Sequence, residues 1–418
     1  MRARAARSRP GLPRTVIVLS ASAAALCLGA CGGPDDAAAV ATSAPAVAGT
    51  PVAAGPDNCG EGWTGGAAGD QTFAITNTAT TSMAVYLQDA PAGDADARTY
   101  LVVDAIGAGA TTSASVRLNG GAYRFVCLQV DEDMVAGKPV TVTGGKVAAA
   151  TPSIVLLSQQ DLIPPTQAYS AWALGRARTL AQQVAALDAD AAAGDLAAAR
   201  RDWLTAHTTY GTLGAAYGAF GDLGDAIDAL PPRGASAAQD EDLTGFRKIE
   251  ALLWPEPGVG SGTDVARAAR PATRQLVADV ASLVTLLQDP RMDPLELGLR
   301  AHEILEDVQR ITLSGRADGP SGTTLAEVAA AVDGSRAALE QLRPLLTAQG
   351  FDLAPDDDAL NGLADTVTTF EHDDADGPVW TSRADLTPAQ REQLDARLDA
   401  ALEPLARVAA TTEPRRHS

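Results

Sequence analysis

The sequence predicts a multidomain chain, a small all-β sandwich followed by an all-α helical bundle. Three observations predict it. Between residues 72 and 142, short apolar runs, several of them alternating, recur about every ten residues between Gly, Asn and Asp turn signals. After Pro164-Pro165 the hydrophobic period becomes helical and stays so to about Ala410. The roughly 390 residues that follow the leader are too many for one ordinary domain.

The leader comes first. Arg2, Arg4, Arg7, Arg9 and Arg14 precede an apolar stretch from Thr15 to Ala30 that ends in Leu28-Gly29-Ala30-Cys31. A basic segment, a short apolar segment and small residues before a cysteine form a bacterial lipobox within a signal peptide, residues 1–31. The thiol of Cys31 is the expected lipidation site, which places the chain on the outer face of the cytoplasmic membrane, in the periplasm or at the cell surface. The apolar run is shorter than the ~20 residues a spanning helix needs. Residues 32–58 are almost wholly Ala, Gly, Pro, Ser, Thr and Val with three charges, so they read as a flexible linker.

The sandwich is expected over residues 59–150, with strands in Thr72–Thr76, Ser82–Leu87, Tyr100–Val103, Ser113–Leu118, Tyr123–Leu128 and Val140–Val142. Cys27 leaves with the signal and Cys31 is acylated, so Cys59 and Cys127 remain, and two cysteines in an oxidising compartment most often pair. The bundle is expected over residues 160–412, with helices near 166–193, 196–218, 243–253, 263–288, 294–314, 323–347, 358–371 and 386–409. Asp195 and Ser321 or Gly322 are the expected helix starts, and Pro255-Glu256-Pro257 and Asp289-Pro290 the stops.

Charge narrows the function. Removing the five leader arginines from the 32 Lys+Arg leaves 27 against 52 Asp+Glu, a net charge of −25. A polyanion such as nucleic acid is repelled by such a surface, whereas hard cations, which prefer oxygen ligands, are attracted. A solvated acidic face accounts for most of these carboxylates as well.

Facing helices hold a metal when carboxylates and imidazoles sit three or four residues apart. His302-Glu303-Ile304-Leu305-Glu306 has that spacing, and it reads equally as a solvated acidic face. The segment Trp203 to Tyr210 carries His207, and Asp222, Asp225 and Asp228 follow at three-residue spacing, where helix capping explains at least one. Glu371-His372-Asp373-Asp374 reads as an exposed acidic loop.

Ala215-Ala216-Tyr217-Gly218-Ala219-Phe220-Gly221-Asp222-Leu223, Gly245 to Trp254, Ala301 to Glu306, Val332 to Arg336 and Leu342 to Leu346 together resemble the imelysin-like domain of the EfeO/EfeM family of iron-uptake lipoproteins. The stretch from Cys59-Gly60-Glu61-Gly62-Trp63 to Val142 is similar to the cupredoxin-like domain that precedes it in EfeO-type members. The resemblance covers nearly all of the mature chain. It implies an extracytoplasmic component of a ferrous-iron uptake system, working with a membrane iron permease and a haem peroxidase-type partner, with iron as the bound metal. The family's signature is Gly-x-His-x-x-Glu, and Gly245-Phe246-Arg247-Lys248-Ile249-Glu250 keeps the Gly and the Glu but has Arg247 in place of the His. A guanidinium stays protonated and has no lone pair for a metal, so Glu250 is open to two readings, ligand or ion-pair partner of Arg247. Gly211 stands where the family tends to carry an acid after the tyrosine.

The expected metal set is His302, Glu303 and Glu306 from one helix, facing Glu250, Asp222 and His207 from others. Type 1 copper is not expected, because a blue-copper centre needs two imidazoles and no histidine lies between Gly32 and His207. The leading expectation is a non-enzymatic protein that binds iron and hands it to a permease. A non-catalytic envelope scaffold with a degenerate metal site is the alternative, supported by Arg247 and Gly211. A metallopeptidase is the third reading, but a zincin needs His-Glu-x-x-His and His302 to Glu306 ends in a carboxylate.

Overall fold

Alternation builds the first half of the chain. The strands are β1 (Thr50–Ala54), β2 (Gly66–Ala67), β3 (Gly69–Asn77), β4 (Met83–Asp89), β5 (Thr99–Ile106), β6 (Thr111–Leu118), β7 (Gly121–Gln129), β8 (Val135–Ala136) and β9 (Val140–Thr143). One sheet has the order β1-β3-β6, the other β2-β9-β7-β4-β5 with β8 added to β7. Side chains two apart point the same way, so Phe73 and Ile75 of β3 meet Met83, Val85 and Leu87 of β4 and Tyr123, Phe125 and Cys127 of β7 in one core between the sheets. Trp63, Phe73 and Phe125 pack edge to face, with ring centres 5.1–5.5 Å apart, and a disulfide joins Cys59 to Cys127. On the reverse face of β4 and β7, Tyr86 and Val126 are covered by Leu156, so these two strands are buried on both sides.

This computed structural model describes residues 47–90, 97–258, 260–289, 292–374 and 377–415. Cys31, the signal peptide and the first part of the linker lie outside the described residues. The linker expected to run to residue 58 ends earlier, because β1 pairs in parallel with β3, Thr50 opposite Phe73 and Ala54 opposite Asn77. Its small residues suit that position: Val52 and Ala54 are buried, and a low-complexity composition concealed an edge strand.

The second half is helical: α1 (Gln159–Ala193), α2 (Leu196–Gly211), α3 (Asp222–Asp228), α4 (Gly245–Leu253), α5 (Gly262–Leu286), α6 (Leu297–Asp307), α7 (Thr324–Ala348), α8 (Ala354–Thr368) and α9 (Pro388–Thr412). Their apolar stripes share one core in which Tyr169, Trp203, Phe246, Leu276, Leu339 and Leu405 are buried. Helix α1 starts seven residues before the expected 166 and runs through Pro164 and Pro165. Ser158 and Asp161 form a capping box at its start, and two prolines this near the start leave only the carbonyls of Gln160 and Asp161 without their i+4 donor.

The expected helix 196–218 is two pieces, α2 and a 3-10 turn at Gly214–Ala219. The expected helix 294–314 is α6 followed by a π-turn at Val308–Thr312. The acidic segment expected as a loop is instead an exposed strand, β10 (Glu371–Asp374), paired with β11 (Gly377–Trp380). The helical and β halves meet through the ion pair of Arg415 with Asp104 at 2.9 Å and the Arg98 to Gln349 carbonyl bond at 3.1 Å.

Candidate functional site

Helix α4 presents Phe246, Ile249, Glu250 and Leu253 to the core, the i, i+3, i+4, i+7 stripe of a buried helix, and Arg247 is buried beside them. An arginine and a glutamate there must be paired. The start of α4 is pinned by a close approach: Gly245 has φ +69°, and a Cβ there would collide with the Ile227 carbonyl at the end of α3. That contact, with the Thr244 hydroxyl donating to the Ala226 carbonyl at 2.8 Å, brings Arg247 against Asp228. The Trp203 indole donates to the Phe246 carbonyl at 3.0 Å and ties α4 to α2.

Three carboxylates converge on the Arg247 guanidinium. Nη1 and Nη2 donate to the two oxygens of Glu327, in the first turn of α7, at 2.8 Å each. Nε lies 3.3 Å from Asp228 Oδ1, and Nη1 lies 3.7 Å from Glu250 Oε2 and 3.3 Å from the Ala317 carbonyl, to which it also donates. His207 Nε2 is 3.2 Å from both oxygens of Asp228. The His207 ring packs between Trp203 and Phe246, with centroids 4.8 and 4.9 Å away, and its Nδ1 is buried without a hydrogen-bond partner. Burial opposes the charge on Asp228, but Arg247 and His207 outweigh it and hold the carboxyl below its usual pKa. For Glu250 burial wins and its pKa is raised, although Arg247 and Ser321 pull the other way. The Ser321 backbone N–H and hydroxyl donate to Glu250 Oε1 at 3.2 and 2.5 Å, and a Cβ at Gly319 would overlap this carboxylate.

Beyond Arg247 lies a cavity of about 290 Å³ lined by His207, Asp228, Arg300, Glu303, Asp307 and Glu327, with Tyr217 and the π-turn at its edge. Four carboxylates face two guanidiniums in this wall. Glu303 takes Arg300 at 2.8 Å and Asp307 takes Arg310 at 3.0 Å. These ion pairs are partly exposed, unlike those of Arg247.

The six residues expected as metal ligands do not form one set. His207 and Glu303 line the cavity, and Glu250 sits behind Arg247. Asp222 is exposed at the start of α3. His302 and Glu306 pair with each other, Nδ1 to Oε1 3.8 Å, on a different face of α6 from Arg300, Glu303 and Asp307. The i, i+4 spacing of His302 and Glu306 was real, but it aimed them away from α2 and α4. Among the described residues no three His, Cys, Asp or Glu side chains are grouped to hold a metal ion. Gly211 also lines the cavity, and a Cβ there would already stand 3.0 Å from that of Ala330, so an acid at this position needs α7 to shift. Asp228, one of the three acids noted at three-residue spacing, lines the cavity although it was left out of the expected metal set, and Asp307 and Glu327 were missed as site residues. The buried Arg247 was the available signal, since it demands carboxylates from neighbouring helices.

A family model described as Imelysin, of the peptidase M75 group, matches residues 165–409, more than half of the chain. The chain belongs to the imelysin family. Its helical half, with the Arg247 cluster and the adjoining cavity, is therefore an imelysin domain. This imelysin-family chain is similar to a Yersinia pestis protein named iron uptake system component EfeO, 26% identical over 304 residues, or 72% of this chain and 76% of that one. The Escherichia coli (strain K12) protein of the same name is 26% identical over 303 residues, with the same coverage. The β region that precedes the imelysin domain is compatible with the front domain expected from the sequence.

Proposed function

We propose that this protein is an extracytoplasmic, lipid-anchored component of an iron-uptake system that captures the cation without chemical turnover and passes it to a membrane permease. The observation that carries the reading is the cavity between α2, α6 and α7, where Asp228, Glu303, Asp307 and Glu327 gather around an opening in a chain similar to named iron-uptake components. Iron is the cargo, and carboxylates are the ligands that hard cations prefer. Its place is the outer wall, Glu303 and Asp307, one turn apart on α6. Their partners Arg300 and Arg310 form partly exposed pairs, which solvent screens and an incoming cation displaces at little cost. The permease and a haem peroxidase-type protein are the proposed partners, and Cys31 is the proposed anchor. No described helix is long and apolar enough to cross a membrane.

A second reading, a scaffold that keeps the fold and its partners without metal, is favoured by the carboxylate pairing of Arg247. Titration of the full chain with ferrous iron under anoxia separates the two. Saturable binding lost in Glu303→Gln/Asp307→Asn supports capture. Heat no greater than that of a charged surface in wild type supports the scaffold.

A further inference from the structure

We infer that the Arg247 guanidinium is the resident cation of the inner cluster: a charge built into α4 stands where Asp228, Glu250, Glu327 and His207 would otherwise hold a divalent ion. The inference concerns the inner cluster alone and does not rest on iron capture at Glu303 and Asp307.

Carboxylates from α3, α4 and α7 surround one positive centre, Glu327 at 2.8 Å, Asp228 at 3.3 Å and Glu250 at 3.7 Å, and the His207 imidazole on α2 meets Asp228 at 3.2 Å. The three carboxylate contacts of Arg247 are of the kind a metal would make, an anionic oxygen facing a positive centre. Arg247 is 6% exposed, and its fork satisfies both Glu327 oxygens at 2.8 Å. Removing such a group strands the buried Glu250 and the half-buried Asp228 and Glu327, whereas a metal ion arriving from water would have to expel it against the same attractions. The inner cluster is thus filled in every molecule, at any metal concentration.

This has a structural consequence. Helices α3, α4 and α7, which contribute Asp228, Arg247 with Glu250, and Glu327, are held together by a covalently attached charge. Their arrangement does not depend on loading. In Glu303→Gln/Asp307→Asn, which lacks the outer carboxylates, a chelator will leave the melting temperature unchanged.

The gap left by the side chain makes the idea testable. Arg247→Ala removes the positive centre and leaves its three carboxylates, with the imidazole beside Asp228, facing the space the side chain vacates. Mn²⁺ is the probe, a hard divalent ion with a preference for oxygen. In the full chain, Mn²⁺ at about 100 times its dissociation constant is expected to raise the melting temperature of Arg247→Ala by roughly 5–10 °C more than that of wild type. Adding Glu250→Gln to Arg247→Ala is expected to abolish most of that gain. Because Arg247→Ala strands three acids, Arg247→Ala/Glu327→Gln, which strands two, is measured beside it and is expected to gain Mn²⁺ binding as well. In the wild-type background, Glu250→Gln is expected to leave Mn²⁺ binding unchanged, a readout independent of how the arginine variants fold. The inference is overturned by folded arginine variants that gain no Mn²⁺ binding, or by wild-type Mn²⁺ binding that disappears in Glu250→Gln. Loss of wild-type binding in Glu303→Gln/Asp307→Asn reports on the capture reading alone.

Discussion

Replacing Glu327 by glutamine tests how much of the helical fold hangs on Arg247. The side chain remains nearly the same size, so packing is conserved and only the charge and one acceptor are lost. Two charge-assisted hydrogen bonds at 2.8 Å join Glu327 to the guanidinium, and bonds to charged groups contribute about 1.5–3 kcal/mol each. Glutamine keeps one acceptor and turns an amide N–H₂ toward the other guanidinium nitrogen. Breaking a buried pair outright costs about 3–5 kcal/mol, but Asp228 and Glu250 remain beside Arg247 and Glu327 is slightly exposed. The expected loss is therefore about 2–3 kcal/mol, a fall of roughly 5–10 °C in melting temperature for a helical domain of this size. Differential scanning calorimetry on the full chain measures it, with Arg343→Ala as the control. Arg343 bonds Glu340 and Asp357 at the surface, and its removal is expected to shift the transition by no more than about 2 °C. A Glu327→Gln transition that moves no further than the control would refute the view that the Arg247 cluster organises α3, α4 and α7.

Other perturbations test separate parts of the structure. Asp356 is buried with neither carboxylate oxygen hydrogen-bonded, and burial, partly opposed by Arg407, pushes its pKa up to about 6. A raised acid favours folding while it is protonated, below its unfolded value, and that stability is lost as pH rises through about 6. Asp356→Asn should therefore stabilise the protein by about 1–2 kcal/mol at pH 8 and by almost nothing at pH 4, as urea midpoints at the two pH values would show. Replacing Cys59 and Cys127 together by serine opens a loop with a sequence separation of 68. It should destabilise the β half by about 2–5 kcal/mol, seen as an earlier unfolding step reported by Trp63 fluorescence, while the helical step stays in place. Gly319→Ala places a methyl group on the Glu250 carboxylate. A drop of several degrees is expected, and its partial recovery in Gly319→Ala/Glu250→Ala would identify that contact as the cause.

Much of this architecture was legible because it depends on periodicity. Phe73, Ile75, Met83, Val85 and Leu87 alternate in the sequence and share one face in the structure, and Asp195 caps α2 as its position implied. Features that depend on a single unusual residue were harder to read. Val52 and Ala54 sit in a low-complexity run and become strand only because β3 offers an edge. Pro164 and Pro165 looked like a boundary but lie inside α1, because a strong capping box begins the helix at Gln159.

The candidate site was legible in half. His207, Glu250 and Glu303 were named from residue type and spacing, and the sequence left Glu250 open as a ligand or as the ion-pair partner of Arg247. It could not show that the main partner is Glu327, because ion-pair geometry across helices is set by packing. Local spacing on α6 selected His302 and Glu306, whereas the helix turns Glu303 and Asp307 to the cavity. A one-residue step along a helix is about 100° of rotation, enough to move a ligand from one site to another.

Anomalous scattering at the iron edge, from crystals of the full chain grown with ferrous iron under anoxia, tests the central claim most directly. One peak is expected against Glu303 and Asp307, with Arg300 and Arg310 swung away and Arg247 still bonded to Glu327. A peak inside the shell of Asp228, Glu250 and Glu327, with Arg247 displaced, would contradict that claim.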